Sequence, residues 1–453
     1  MSALWTAEEL QIATEGIFTG APFVANGIAI DSRLLARGDL FFALKDQRDG
    51  HDFVAAALAH GAAGAVVAHS IEGVDRSLLH VRDPQVALRQ MGEYARARSV
   101  AKFSAVTGSV GKSTTKEMLR RIFTSFGLTH AADASHNNHI GVPLTLARMP
   151  RDAAFAVLEI GMNHPGEIAP LARISRPHVG IITTIAASHI GAMGSLEAIA
   201  TEKADLLCGL LPYGTAVLPQ GPFLPLLKRH VGATHRIITV GTERGDEARL
   251  LEVVSDPEGL DLTAQILGTI VRCRLRAPGH HMAHNAVTAL AAAAALDLDI
   301  VQAASALNGF APVGGRGTAL TLRRDGLAVT ILDESYNASG ASMRAGFDVL
   351  SLYPGRHLAV LGDMLELGAF SRDEHAALAG PVAAVADLVF ACGPEMRALY
   401  DALPAERRGA WAMDARLLAP LVCAALCDGD VLLIKGSHGS DMQSIITALA
   451  EIV

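Results

Sequence analysis

The chain has 453 residues, of which 50% are hydrophobic and 19% charged. That is ample material for buried cores and argues against disorder; at roughly 100–200 residues per domain it suggests two to four domains. The formal net charge is −8, with no long run of Lys or Arg, so a nucleic-acid partner is not expected, whereas anionic small substrates remain open to local cations.

The opening MSALWTAEELQIA carries acids early and no apolar core segment, so it does not read as a signal peptide. No stretch of about 18 uncharged apolar residues occurs, so no membrane span is expected and the cytoplasm is the default compartment. A first domain boundary falls near Asp83–Pro84, ahead of the helical stretch PQVALRQMGEYARAR. Strand candidates follow at Phe103–Thr107, Phe155–Ile160, Val179–Thr183, Ala328–Leu332, Leu358–Leu361, Asp387–Ala391 and Val431–Ile434. Short Val- and Ile-rich runs separated by helices indicate parallel sheets covered on both faces. A second boundary lies in the Pro/Gly-rich Ala311–Ala319. The expected fold is α/β in three domains: a small N-terminal domain (1–83), a central nucleotide domain (84–313) and a C-terminal α/β domain (314–453).

The segment TGSVGKSTTKE, Thr107 to Glu117, follows one of these strands and opens a helix. Glycines let backbone N–H groups approach phosphate oxygens, and the helix N-terminus adds partial positive charge. Lys112 can reach the outer phosphates, and the Ser113 hydroxyl can ligate Mg²⁺. Val106 stands where the full-length phosphate-loop pattern has its first glycine, so the match is to a shorter form led by Gly108. The plain alternative is a Gly-rich turn followed by an ordinary lysine. The loop fixes a nucleotide but not a reaction: switch, kinase, motor and ligase all stay open here.

Glu159 ends a strand ahead of the loop GMNHPGE, where carboxyl ends of parallel strands face a ligand crevice; a carboxylate there suits Mg²⁺, or is simply solvated. His189 likewise lies past a strand end, as a ligand or an ordinary loop histidine. Lys203 shares the apolar stripe of Leu196, Ile199, Leu206 and Leu210 on a helix expected over Ser195–Leu210. An ammonium on such a face must snorkel, pair or lose its charge; a neutral amine can capture CO₂ as a carbamate and so become an oxygen ligand for a hard metal. The cysteines, Cys208, Cys273, Cys392, Cys423 and Cys427, are scattered and odd in number, which is not a disulfide framework; Cys423 and Cys427 read as small residues of one buried helix face.

The ordered series TGSVGKSTTKE, NNHIGVPLTL (Asn137–Leu146), EIGMNHPGEI, SHIGAMGSLEAIATEK, GHHMAHNAVTALAAAA (Gly279–Ala294), Gly315–Arg316, LDESYNASGASM, LGDMLELG and KGSHGSDM resembles the Mur ligase family over essentially the whole chain. The resemblance implies ATP-dependent carboxylate–amine ligation, with a UDP-binding N-terminal domain, a phosphate-loop ATPase domain and a Rossmann-like C-terminal domain. Asp31–Phe53 resembles the family's UDP-sugar segment. SYNA and LGDMLELG resemble the member that adds D-Ala-D-Ala to UDP-N-acetylmuramoyl-tripeptide, and the DNPR-type motif of the diaminopimelate-adding member is absent. By matching position, the resemblance assigns Gly108, Ser109, Val110, Gly111, Lys112, Ser113 and Thr114 to the ATP phosphates. Ser113, Glu159, His189 and a carbamylated Lys203 are assigned to two Mg²⁺. Asn285 falls to adenine, Arg316 to the γ-phosphate, and Asp333, Tyr336 and Asn337 to the ribose wall. Asn137 and Asn138 fall to the muramoyl peptide; Ser32, Arg33, Lys45 and His51 fall near UDP. Met282, His438 and Asp46 depart from the family's usual Asn, Arg and Gly. A monomer is expected. The competing expectations are another amide ligase of the family, a nucleotide-regulated switch, and a non-catalytic binding homologue.

Overall fold

The structure is a computed structural model that describes residues 3–75, 77–324 and 327–452. Three sheets carry the chain. The first has five strands in the spatial order Ile17–Thr19, Leu78–His80, Gly64–Val67, Asp39–Phe42, Gly27–Ala29; only the first of these runs antiparallel to its neighbour. The helix Pro84–Arg98, capped by the Asp83 carboxylate with Pro84 at its first turn, leads out of it.

The central sheet has nine strands. Its parallel part runs Thr129–Ala131, Phe155–Glu159, Lys102–Thr107, Val179–Ile182, Thr215–Pro219, Arg236–Gly241. The inner four, from Phe155–Glu159 to Thr215–Pro219, are almost entirely buried, as expected for a sheet covered on both faces, whereas the edge strand Thr129–Ala131 is half-buried. Lys102–Thr107 lies between Phe155–Glu159 and Val179–Ile182. The chain therefore steps to opposite sides of one strand, and its three carboxyl ends open a crevice at a topological switch point.

The sheet is not parallel throughout. Ala248–Asp256, Gly259–Ile266 and Thr269–Leu275 form an antiparallel meander at one edge. Two tight turns produce it, one at Pro257–Glu258, the other at Leu267–Gly268, where both residues have positive φ. The six-stranded C-terminal sheet runs Thr318–Arg324, Leu327–Glu334, Val431–Lys435, His357–Gly362, Leu388–Cys392, Arg408–Ala412, parallel except for its first edge strand.

Two expected helices are shorter than the apolar pattern suggests. Ser195 caps a helix over Leu196–Ala204, after which Asp205–Gly209 tightens into a 3-10 turn. There Gly209 packs so closely that a Cβ would stand 2.2 Å from the Ala172 carbonyl oxygen. The helix Ala415–Ala424 ends before Cys427, which is exposed in a turn whose N–H the Asp430 carboxylate accepts at 2.8 Å. Cys423 and Cys427 thus share no buried helix face.

Candidate active site

The carboxyl ends of the central and C-terminal sheets face each other across a cavity of about 690 Å³. On the central side the phosphate loop, Glu159, His189 and Lys203 line it; on the other side Arg316, Tyr336, Asn337, Glu366 and Lys435 do.

The loop's shape is set by its glycines. Gly108 has φ +148, and a Cβ on it would overlap Thr183 Oγ1 at 1.9 Å; Gly111 has φ +89, and its Cβ would meet Asn285 Oδ1 at 2.5 Å. Ser109 is tied down by its N–H to Thr184 O and its hydroxyl to Ala186 O. Lys112 Nζ donates back to Gly108 O at 2.7 Å. Burial pushes the Lys112 ammonium below its ordinary range, with Glu159 opposing and Arg316 reinforcing the shift.

Glu159 is 2% exposed. Asn137 Nδ2 donates to its Oε1 at 2.9 Å, while Oε2 is buried with no partner among the described residues. A buried carboxylate oxygen left bare costs about 1–3 kcal/mol, which a hard cation in the cavity would recover. The donors around it fit one: Ser113 Oγ lies 3.2 Å from Ser135 Oγ, and both line the same cavity as Glu159. Ser135 had no signal in the sequence pattern. It reaches the site because Lys116, one turn along the loop's helix, donates to the Ala132 and Ala134 carbonyls at 2.7 and 3.2 Å.

Lys203 is 1% exposed. Burial, then the nearby Lys112, hold its ammonium well below its ordinary value, with Glu202 opposing. Its helix is pinned to the loop after Glu159, because the Glu202 carboxylate accepts from the Gly166 and Ile168 N–H groups at 2.7 and 2.9 Å. The carboxylate of Glu366 contacts His189 Nδ1, off the line of a good hydrogen bond. His189 holds the Glu366 carboxyl below the usual range.

Arg316 crosses the cavity. Its Nη2 donates to Ser135 Oγ at 2.9 Å, and its guanidinium lies 3.8 Å from the centroid of Tyr336. Behind Tyr336, Lys435 is 2% exposed and bridges Glu334 Oε2 and Asn337 O, both at 3.0 Å. Met282 and His438, two departures from the family pattern, also line the cavity.

Several sequence candidates lie elsewhere. Asp333 is buried and accepts from the Gly315 N–H and from Ser335, so it braces the turn carrying Arg316. Asn138 caps the following segment through the Ile140 and Gly141 N–H groups. Neither lines the cavity. Ser32, Lys45 and His51 follow the parallel strands Gly27–Ala29 and Asp39–Phe42 of the first sheet, also at carboxyl ends. Arg33 is exposed and paired with Asp31 at 2.6 Å. Both His51 nitrogens are engaged: Nδ1 meets Asp49 Oδ1 at 2.6 Å, and Nε2 accepts from the Ala68 N–H at 2.9 Å. The nearby trio Asp49, His51 and His69 therefore offers no free nitrogen from His51 to a metal.

Comparison with known proteins agrees with this architecture. Residues 106–293 match the model of the Mur ligase middle domain, and residues 320–438 match that of the Mur ligase glutamate ligase domain. A UDP-N-acetylmuramoyl-tripeptide–D-alanyl-D-alanine ligase from Synechocystis sp. is 35% identical, covering 94% of this chain and 92% of the relative. The crystal structure of MurF from Acinetobacter baumannii superposes with a TM-score of 0.89 at 30% identity, covering 99% of both chains. MurF from Thermotoga maritima, solved in complex with ADP, shares the fold with a TM-score of 0.80 at 23% identity, covering 94% of this chain and 97% of that one. With full-length relatives above 30% identity and both domain models matched in order, this chain belongs to the Mur ligase family.

Proposed function

We infer that the chain joins the C-terminal carboxylate of UDP-N-acetylmuramoyl-tripeptide to the amine of D-Ala-D-Ala, converting ATP to ADP and phosphate, in cytoplasmic peptidoglycan precursor synthesis. Full-length likeness to ligases named for that reaction supports it. The observation that carries the chemistry is one cavity holding a phosphate loop, a bare buried Glu159 oxygen, a buried amine at Lys203 and an arginine from the opposite sheet. In this reading Gly108–Thr114 cradle the phosphates. Lys112 and Arg316 neutralise charge as the γ-phosphoryl passes to the tripeptide carboxylate. The leaving oxygen stays on ADP, and the acyl phosphate is then attacked by the dipeptide amine, which loses a proton as the amide forms and phosphate departs. The facing sheets exclude water from the acyl phosphate.

Ser113, Glu159 and His189 would hold two Mg²⁺, which supply Lewis-acid neutralisation of the phosphate oxygens. Lys203 would join them after its neutral amine adds to CO₂, forming an N–C bond and releasing one proton. Asn137 orients Glu159 through its amide in this scheme, in place of a direct contact to the muramoyl peptide. Ser32, Lys45 and the loop held by His51 would form the UDP end. The working unit is a monomer of three domains, residues 1–83, 84–313 and 314–453.

The test is ADP release measured with each pairing of UDP-muramoyl peptide and amine. We expect turnover to require the UDP-tripeptide and to be strongly stimulated by D-Ala-D-Ala, with D-Ala or diaminopimelate giving little. A site built for a dipeptide leaves buried groups unpaired against a single residue, at about 1–3 kcal/mol each. Lys112→Ala should abolish release. Efficient joining of a UDP-dipeptide to diaminopimelate or lysine would move the protein to the preceding step.

A further inference from the structure

His189 and Glu366 come from opposite sides of the cavity, and each sits in a backbone conformation that side-chain-bearing residues rarely adopt. His189 has φ 59 and Glu366 has φ 66. Such conformations are strained and persist where the surroundings enforce them. The enforcing contact is a close backbone approach. Gly191 N–H donates to Glu366 O at 3.1 Å. A Cβ on Gly191 would lie 2.7 Å from Gly368 N, and one on Gly368, itself at φ 56, would lie 2.9 Å from Gly191 Cα. Two glycines thus let the segments meet, and the meeting lays the Glu366 carboxylate against His189 Nδ1.

The consequence is a division of labour between the ring nitrogens. Nδ1 is buried at the Glu366 carboxylate, which leaves Nε2 as the nitrogen available to a ligand in the cavity that His189 lines. A carboxylate on the far nitrogen fixes the tautomer and ring orientation of a metal-binding histidine and raises its basicity. Here that carboxylate belongs to the opposite sheet, so it arrives only when the C-terminal part is docked.

We propose that Glu366 is a positioning residue: docking of the Leu365–Gly368 segment onto His189–Met193 sets the imidazole for a divalent cation, so the metal site is completed only in the docked arrangement. This rests on the reading of His189 as a metal-organising residue. It goes beyond that reading by tying metal affinity to a group that touches neither metal nor substrate.

The experiment is a double-mutant cycle on the full-length chain, with Mn²⁺ binding followed by electron paramagnetic resonance in the presence of a non-hydrolysable ATP analogue. Glu366→Ala should weaken Mn²⁺ binding by about 10–100-fold. Glu366→Gln, which keeps the shape and an acceptor oxygen, should weaken it less. In a His189→Ala background neither should add a further loss, because the effect runs through the ring. Wild-type affinity in Glu366→Ala, or a loss that simply adds to that of His189→Ala, overturns the proposal. Since the Glu366 side chain is 54% exposed, neither variant should impair folding, and matching thermal unfolding curves check this. A chain that shows the coupling in Mn²⁺ binding yet ligates no peptide would sink the substrate assignment and leave this proposal standing; a ligase without the coupling does the reverse.

Discussion

A primary amine at 1% exposure is unfavourable to the fold on its own. Burial and the nearby Lys112 hold the Lys203 ammonium well below its ordinary 10.5 in the fold, so between the folded value and 10.5 the unfolded chain binds the extra proton. Stability therefore rises with pH from the depressed folded value up to about 10.5, as the unfolded state loses that advantage. Natural chains keep such a residue where function needs it. Lys203→Met, which fills the same space without the amine, should raise the stability of the ligand-free protein by about 1 kcal/mol at pH 7 in CO₂-depleted buffer, while turnover disappears. Denaturant unfolding reads the first effect and ADP release the second; a less stable variant would mean the amine is satisfied in the fold. High-resolution density for the wild type should show a planar carboxyl group beyond Nζ.

At this scale the sequence reveals chemistry that local spacing determines. The loop Gly108–Thr114 and the misplaced charge of Lys203 are visible in the string because a strand, a tight turn and a helix must follow one another there. Ser135, Glu366 and the Lys435–Glu334 pair were not legible as site members. Ser135 arrives through Lys116 holding the Ala132–Ala134 backbone, and Glu366 arrives on the loop after the strand His357–Gly362 of another sheet. LGDMLELG and KGSHGSDM are recognisable as motifs, but neither motif says which side chain faces the cavity.

Among the elements, the docking of Ile190–Met193 against Gly368–Phe370 is the most sensitive. Gly191→Ala adds one methyl where 2.7 Å is available to Gly368 N and 2.9 Å to Glu366 O. Backbone must move, since no flexible side-chain end can give way. The phosphate loop meets this segment upstream of Gly191, where Ser109 bonds Ala186 and the Ser188 hydroxyl donates to Ser109 O. We expect ATP-analogue affinity to stay within about threefold while ligation falls by at least tenfold, because a displacement of about 1 Å at a reacting site costs about 10²-fold. Equal losses in nucleotide affinity and turnover would place the damage in the loop instead. The strands show the same contrast between pattern and context. Buried parallel strands such as Phe155–Glu159 are continuous apolar runs and read easily. The meander over Ala248–Leu275 has half-buried, alternating strands, whose best signal is the Asp256–Gly259 turn, DPEG, and a search for apolar runs passes over it.

For the whole molecule, the question is how large substrates enter a cavity walled by two sheets. Arg316 already donates to Ser135 and stacks on Tyr336, and the Glu366 segment already meets Gly191, so the arrangement seen is a docked one. The polar links between the two parts include the Arg316–Ser135 hydrogen bond and the His189–Glu366 contact at the cavity, and the Tyr353 hydroxyl donating to Pro257 O at 2.8 Å away from it. A hydrogen bond contributes about 1 kcal/mol net and a partly exposed ion pair about 0–1 kcal/mol, little enough for thermal opening. Nucleotide and UDP-tripeptide touching both walls would shift that balance toward the docked form by their differential affinity. Small-angle scattering should therefore give the largest radius of gyration for the free chain and the smallest with ATP analogue and UDP-tripeptide together. Arg316→Ala should keep the UDP-tripeptide affinity but lose much of the compaction that nucleotide causes, because it removes the cation that reaches from the C-terminal wall to Ser135, beside Ser113 of the phosphate loop. A radius that stays constant across every ligand state, in wild type and variant alike, would mean that the sheets never part and that substrates thread into a preformed cavity.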